Sequence, residues 1–243
     1  MYKLKLITPI SILLLSLYSI NSAEAALLSD LLSGSSVTAA DKLFDQWAVT
    51  FQSSSDGSVP SYAGINVNPL NDGGLHPGPG INIDFGNQMS VTGDGIFAFT
   101  DLTLDFHVSS LGPYLIEDNS LNFGLPSLSS LTWNSDQSND LGMAVEEWVT
   151  DISGNELAHK YIEFSVLDDI QNSLLSDWAQ FAPQKEIFVK KNFLVWSRDT
   201  TDTATLGGIE QRFSQVPEPG ILLLLSMGLI GAGIAKKKTT IKL

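Results

Sequence analysis

Apolar residues recur at every second position in several short runs of this chain, and this period of two most constrains its fold. The clearest runs are 81–85, 102–108 and 161–166, where apolar and polar side chains alternate. Successive side chains of a strand point to opposite faces, so each run predicts a strand with one buried face. Gly, Pro, Asn and Asp clusters separate the runs. We therefore predict a mainly β ectodomain, an antiparallel, jelly-roll-like β-sandwich of about eight to ten strands.

Two segments instead carry helix signals. Residues 38–41 fit a capping box. Residues 168–181 place Ile170, Leu174 and Trp178 at spacings of four, and a proline at position 183 follows them. We predict a helix at each segment, and a surface loop over the Pro- and Gly-rich residues 68–80.

The N-terminus has the three parts of a secretory signal peptide. Lys3 and Lys5 precede an apolar run at 6–20, and Ala23 and Ala25 form a small-x-small cleavage site. We predict cleavage after Ala25. An uncleaved anchor helix is the alternative.

The C-terminus also has three parts. A Pro-Glu-Pro motif comes first, an apolar run follows, and a lysine cluster stops it: Val216, Pro217, Glu218 and Pro219, then 220–235, then Lys236, Lys237 and Lys238. The run predicts a transmembrane helix, and the lysines would stay on the cytoplasmic side. The two prolines favour an extended motif, since a residue before proline is pushed out of the helical region.

This order of motif, apolar run and lysines resembles the PEP-CTERM sorting signal of Gram-negative and cyanobacterial surface proteins. The approach at 213–215 and the segment 41–44 are also similar to ectodomains of that family. The resemblance implies processing by exosortase, a membrane enzyme with a Cys nucleophile. It implies export, a membrane-anchored intermediate, and then a place at the cell surface or in the extracellular matrix. An ordinary single-pass anchor is the alternative.

These signals divide the chain into four regions. Residues 1–25 are the predicted signal peptide and 26–40 a flexible lead-in. The sandwich ectodomain is predicted over 41–215, and the sorting signal over 216–243, whose last part, 236–243, is a basic tail.

The composition excludes several classes of function. The chain has no Cys, which excludes disulfides, thiolate metal sites and a Cys nucleophile. Residues 26–215 hold seven Lys and Arg against 25 Asp and Glu, a net charge of −18. A domain this acidic repels nucleic acid, so we expect no nucleic-acid partner.

The histidines and paired acids give little support for catalysis. His76, His107 and His159 lack metal-ligand spacing, and His107 falls on the polar, solvent-facing side of a predicted strand. Acidic neighbours occur at 117–118, 146–147 and 168–169, but neighbours in a strand point to opposite faces. We expect a protein that is not an enzyme, with a secreted hydrolase as the least favoured reading.

Cofactor and ligand signals are limited to loops and tryptophans. Asp72 and Asp94 lie in Gly-rich loops and are candidate calcium ligands, although such residues are also ordinary in turns. Trp47 and Trp196 fall in apolar strands and are predicted in the core, whereas Trp133 is the candidate for exposure. We expect a structural or adhesive ectodomain without a cofactor. The alternative is a carbohydrate-binding module associated with exopolysaccharide.

Overall fold

The computed structural model describes residues 24–124, 130–133 and 139–218, together with Gly220 and Met227. These residues form strands, one short helix (α1, Leu28–Leu32) and a 3₁₀ turn (Tyr62–Gly64). The strands are β1 Ala26–Leu27, β2 Val37–Ala39, β3 Lys42–Ser54, β4 Asn66–Leu70, β5 Gly80–Asp84, β6 Ser90–Thr92, β7 Ala98–Ser110, β8 Tyr114–Phe123, β9 Ser130–Thr132, β10 Asp140–Thr150, β11 Glu156–Leu167, β12 Ile170–Leu174, β13 Ser176–Gln184, β14 Glu186–Ser197, β15 Thr203–Thr205 and β16 Gly208–Pro217.

Two large antiparallel sheets make the fold. One has six strands in the order β1-β4-β5-β16-β8-β13, and the other has seven in the order β12-β11-β10-β14-β7-β3-β2. A small sheet, β6-β15-β9, accompanies them. The predicted antiparallel sandwich is confirmed. Strands outnumber the expectation because five of them have only two or three residues, too short to show alternation.

Aromatic rings fill the space between the two large sheets. Phe44 of the seven-stranded sheet lies 5.7 Å, ring centre to ring centre, from Phe213 of the six-stranded sheet. Phe85 meets Phe193 edge to face at 4.9 Å. Trp47 is buried and stacks on a phenylalanine of β7, as its apolar strand predicts. The predicted inward positions of 81–85 and 102–108 are buried as well.

The prediction of a flexible lead-in over 26–40 is corrected by the structure. β1 pairs with β4, β2 pairs with β3, and α1 lies between them. Leu28 and Leu31 of α1 are fully buried. The segment is rich in Ser, but Leu28, Leu31, Val37 and Ala39 are buried in the core, and their burial orders it. Residues 38–41 belong to β2 and the following turn, not to a helix.

The predicted helix at 168–181 is also wrong, because this segment forms β12 and part of β13. Asp168 and Asp169 have φ values of 49° and 61°, as the tight turn of a β-hairpin requires. A spacing of four residues repeats one face of a helix, but it is also an even number and repeats one face of a strand. The pattern therefore fitted both structures.

The predicted loop at 68–80 is shorter in the structure, since β4 continues to Leu70 and β5 begins at Gly80. Residues 71–79 lie against β16. A Cβ on Gly78 would stand 1.8 Å from the carbonyl oxygen of Phe213, so only glycine permits this approach. The loop is thus held beside the strand that leads to the C-terminal motif.

Most of the predicted signal peptide and most of the C-terminal sorting signal lie outside the described residues. This applies to Ala23 and the lysines of the signal peptide, to Pro219, and to Lys236, Lys237 and Lys238. Ala25 is described and exposed. Within residues 24–124, 130–133 and 139–218, no helix is long and apolar enough to cross a membrane. Gly220 and Met227 are the described residues of the predicted span at 220–235.

Candidate functional site at the base of the sorting strand

The C-terminal motif begins inside the sandwich. We name β16 the sorting strand, because it runs between β5 and β8 and ends in the motif. Val216 pairs with Leu115 and Pro217 with Tyr114. The motif is extended, as its prolines predict, but its first two residues are held by a neighbouring strand. The motif therefore starts at the end of a paired strand in a folded domain.

Gln215, directly before the motif, is held by three groups. The buried Lys42 Nζ donates to its side-chain oxygen at 2.5 Å. Its backbone N–H donates to the carbonyl of Leu75 at 3.0 Å, and its amide nitrogen to that of Gly74 at 3.4 Å. Lys42 also pairs with Asp41 at 2.8 Å. Burial lowers the pKa of Lys42, and Asp41 opposes that shift.

Glu218 of the motif is held at the surface. Its backbone N–H donates to the carbonyl of Pro113 at 2.9 Å. Its carboxylate pairs with Lys185 at 2.7 Å, and the same amine donates to the carbonyl of Gly112. Both partners are about half exposed, so solvent weakens this pair.

A histidine and two carboxylates meet beside the sorting strand. Nε2 of His76 lies 3.0 Å from Glu117, and Nδ1 lies 3.6 Å from Asp118. Neighbours in a strand usually diverge, but the register shifts here: Ser214 pairs with Asp118 and the next residue with Ile116. Glu117 is therefore the extra residue of a β-bulge, which turns both acids towards the histidine. The sequence rule for adjacent acids fails at this pair for that reason.

Within the described residues, this trio of one His, one Glu and one Asp could hold a metal ion. Its three ligand atoms lie within 4.8 Å of one another. An imidazole with two carboxylates suits zinc or manganese better than calcium, which prefers oxygen ligands. The two calcium candidates lie elsewhere. Asp72 pairs with Arg212 at 3.1 Å, and Asp94 accepts two backbone N–H groups of its own turn.

The other two histidines also contact acids. His107 is buried between Asp45, at 2.8 Å, and Glu186, at 3.1 Å, so the prediction of a solvent-facing residue is wrong. The residue does lie on the outer face, but the carboxylates and a phenylalanine ring cover it. His159 stacks on Trp148 with ring centres 5.2 Å apart.

A groove crosses the outer face of the seven-stranded sheet. Its volume is about 210 Å³, and its walls include Phe97, Tyr161, Trp196, Glu146 and Asn192. Trp196 was predicted in the core, yet it faces outward and donates its indole N–H to Asp140 at 3.0 Å. A Cβ on Gly142 would stand 2.6 Å from that indole, so glycine makes room for it. The tryptophan thus presents a ring to the groove.

The remaining tryptophans differ in exposure. Trp133, the sequence candidate, is 37% exposed, and Trp178 is 67% exposed. Trp178 lies on the edge strand β13 and was missed because its spacing suggested a helix.

Comparisons with solved structures find similarity to carbohydrate-binding modules. One is TmCBM27, described by its specific mannan recognition. The two chains are 8% identical, the alignment covers 79% of this chain and 94% of that chain, and the TM-score is 0.28. Another is the CBM22-1 xylan-binding domain of Paenibacillus barcinonensis Xyn10C: 12% identity, 73% and 97% coverage, TM-score 0.19. At these TM-scores the likeness carries no argument about the ligand. No curated protein matches the chain.

The family comparison concerns the C-terminus. Residues 215–238 match the model of the PEP-CTERM protein-sorting motif. The match begins at Gln215, the residue that Lys42 holds, and continues through the end of the sorting strand. The chain is therefore a carrier of the PEP-CTERM protein-sorting motif.

Proposed function

We propose that this chain is an exported surface protein, processed by exosortase, whose ectodomain is structural or adhesive and not catalytic. The sorting motif at 215–238 is the observation that carries the proposal. In this reading the chain is first a membrane-anchored intermediate, held through 220–235. It is then delivered to the cell surface or extracellular matrix of a Gram-negative or cyanobacterial host.

The contacts at the base of the sorting strand support a substrate role. Val216 and Pro217 are strand-paired, and Glu218 is tied to Lys185. A membrane enzyme would therefore meet its motif at a fixed position under a folded domain. A strand-paired segment costs less conformational entropy to bind than a free one.

The proposal is tested by replacing Pro217, Glu218 and Pro219 with alanine in a host that has exosortase. We expect normal export, no processing, and a full-length form in the membrane fraction. Neutralising Lys236, Lys237 and Lys238 is the matched control. It should instead disturb orientation, because positive charges hold the tail on the cytoplasmic side. Wild-type processing of the alanine variant would contradict the proposal.

A second candidate function is carbohydrate binding in the outer-face groove. Sugar rings pack against aromatic rings and bond to side-chain amides and carboxylates, and the groove offers Trp196, Tyr161, Asn192 and Glu146 together. A glycan array with the full chain tests this. Trp196→Ala and Tyr161→Ala should each abolish the signal, and Trp178→Ala, outside the groove, should retain it. Equal binding by all three variants would exclude the groove.

A further inference from the structure

Two amines, an amide and a carboxylate are enclosed together between the two sheets. Glu147 on β10, Lys160 on β11 and Lys191 on β14 come from the seven-stranded sheet, and Asn119 on β8 faces them from the other. All four side chains are buried to within 1% of completely. Charged residues are almost never fully buried without partners, so this cluster needs an explanation.

The four groups touch one another in a closed arrangement. Glu147 Oε1 lies 2.6 Å from Lys160 Nζ and accepts a hydrogen bond from Asn119 Nδ2 at 2.6 Å. Lys160 Nζ contacts the amide oxygen of Asn119, and Lys191 Nζ contacts Glu147 Oε2. The amine of Lys160 is thus next to a carboxamide, and one carboxylate touches both.

The charges do not balance when every group is ionised. Two ammonium groups face one carboxylate, which leaves an excess positive charge in a medium that stabilises charge poorly. Burial lowers the pKa of Lys191 to about 8, although Glu147 opposes the shift. The same two lysines lower the pKa of Glu147 against its own burial. The cluster therefore releases one proton easily, and Glu147, touching both amines, can pass the remaining proton from Lys160 to Lys191.

We propose that Lys160 and Asn119 form an intramolecular isopeptide bond, with Glu147 as the catalytic proton carrier. The neutral Nζ of Lys160 attacks Cγ of Asn119, and a C–N bond forms. Glu147 accepts a proton from Nζ and donates one to Nδ2, the Cγ–Nδ2 bond breaks, and ammonia leaves. No oxidant or other reactant is consumed.

The product also resolves the charge imbalance. After the reaction Lys160 is a neutral amide, and Glu147 and Lys191 remain as a balanced ion pair. The bond joins β8 of the six-stranded sheet to β11 of the seven-stranded sheet, across 41 positions of sequence. It is a covalent link between sheets in a chain that has no cysteine.

Peptide mass spectrometry of the full-length protein tests the proposal. Trypsin cannot cleave after an acylated lysine, so we expect peptide 43–185, lighter than its sequence by one ammonia, in place of 43–160. A protease that cuts after glutamate should give peptide 118–146 joined to 157–163, again lighter by one ammonia.

Three variants assign the roles. Lys160→Arg and Asn119→Ala remove a reacting group, Glu147→Gln removes the proton carrier, and each should show no ammonia loss. Glu156→Gln, on the same strand but exposed, is the matched control and should show the full loss in the tryptic digest. Recovery of unmodified 43–160 from the wild-type protein would overturn the proposal, whether or not the Glu147 variant folds.

Discussion

Two buried lysines connect the sheets of this protein, and they differ in what surrounds them. Lys160 reaches Asn119 in the centre, and Lys42 reaches Gln215 at the base of the sorting strand. Each has a side-chain amide and a carboxylate as neighbours. The central carboxylate is fully buried, whereas the Asp41 side chain is 21% exposed.

The difference shows that the reactivity of a buried lysine depends on which groups its carboxylate contacts as much as on burial. Glu147 contacts the amine and the amide, so it can move a proton between them. The amide nitrogen of Gln215 turns instead to the carbonyl of Gly74, while Asp41 contacts Lys42. Lys42 is paired one to one with a partly exposed carboxylate, whereas the central carboxylate is shared by two amines. We interpret the central cluster as reactive and the basal one as a hydrogen-bonded tether.

Removing the carboxylate should separate the two sites most strongly. Glu147→Ala prevents the bond between Lys160 and Asn119 and leaves two buried amines without their carboxylate, which costs roughly 3–5 kcal/mol of unfolding free energy. Asp41→Ala leaves Lys42 its bond to Gln215 and should cost about 1–2 kcal/mol. Urea unfolding measures both values, with Glu156→Ala as a neutral control. Equal losses at the two sites would refute the comparison.

Zinc should bind His76, Glu117 and Asp118 beside the sorting strand, and leave the central cluster unchanged. At a hundredfold excess over its dissociation constant, a ligand of the folded state adds about 2.7 kcal/mol. We expect a higher thermal midpoint with zinc, reversed by a chelator and absent in His76→Ala. His159→Ala is the control and should respond like the wild type. A zinc response that survives His76→Ala would place the ion elsewhere.

The pH dependence of stability should reveal the lowered pKa of Lys191. In Asn119→Ala no bond forms, and both lysines of the cluster remain. The pKa of Lys191 is about 8 in the folded protein and 10.5 for a free lysine, so between these values the unfolded chain binds the extra proton. Stability contributed by this group therefore rises with pH in that window, by at most about 1.4 kcal/mol per pH unit.

Lys42, whose pKa is also lowered, gives a slope of the same sign. Adding Lys191→Met to the Asn119→Ala background should remove the part of the slope that Lys191 contributes and leave the part that Lys42 contributes. The raised pKa values of Tyr62 and Tyr161 act in the opposite direction at higher pH, where unfolded tyrosines ionise first. Denaturant midpoints measured from pH 7 to 10 check the prediction. An unchanged slope in the double variant would dismiss the role of Lys191.

The smallest effect should come from the surface pair at the motif. Lys185→Ala removes the partner of Glu218, and such exposed pairs contribute under about 1 kcal/mol. We expect a nearly unchanged thermal midpoint but faster hydrogen exchange at the Glu218 amide. Lys190→Ala, exposed on the outer face, is the control. A large loss of stability would show that the motif is held more firmly than its exposure suggests.

The fold followed from alternation because a strand buries every second residue. The core cluster has a signal in the same pattern: Glu147, Lys160 and Lys191 occupy the inward parity of their strands, beside Val145 and Ile162. Charged residues at apolar positions could have indicated a buried network. Its partner Asn119 could not be predicted, since pairing between sheets depends on how the whole sandwich closes.

The His76 trio could not be predicted from the sequence either. It depends on a β-bulge at Glu117, which sequence alternation does not reveal, and on a loop that crosses β16. The helix predicted at 168–181 failed for the opposite reason, since its spacing fitted two structures and the turn at Asp168 and Asp169 decided between them. Long, regular segments were predictable, and bulges and hairpin turns were not.

The position of the sorting strand has a mechanical consequence. β16 lies inside its sheet, hydrogen-bonded to β5 on one side and β8 on the other. Tension between the C-terminal tail and the domain would pull along this strand, and the ladder bonds on both sides would share the load in shear. An edge strand such as β1 would instead carry force on one side only. Force would then pass from β16 to β8, and through Asn119, which pairs with Phe213 of β16, towards the opposite sheet. The domain is therefore built to bear load at the end by which it is tethered.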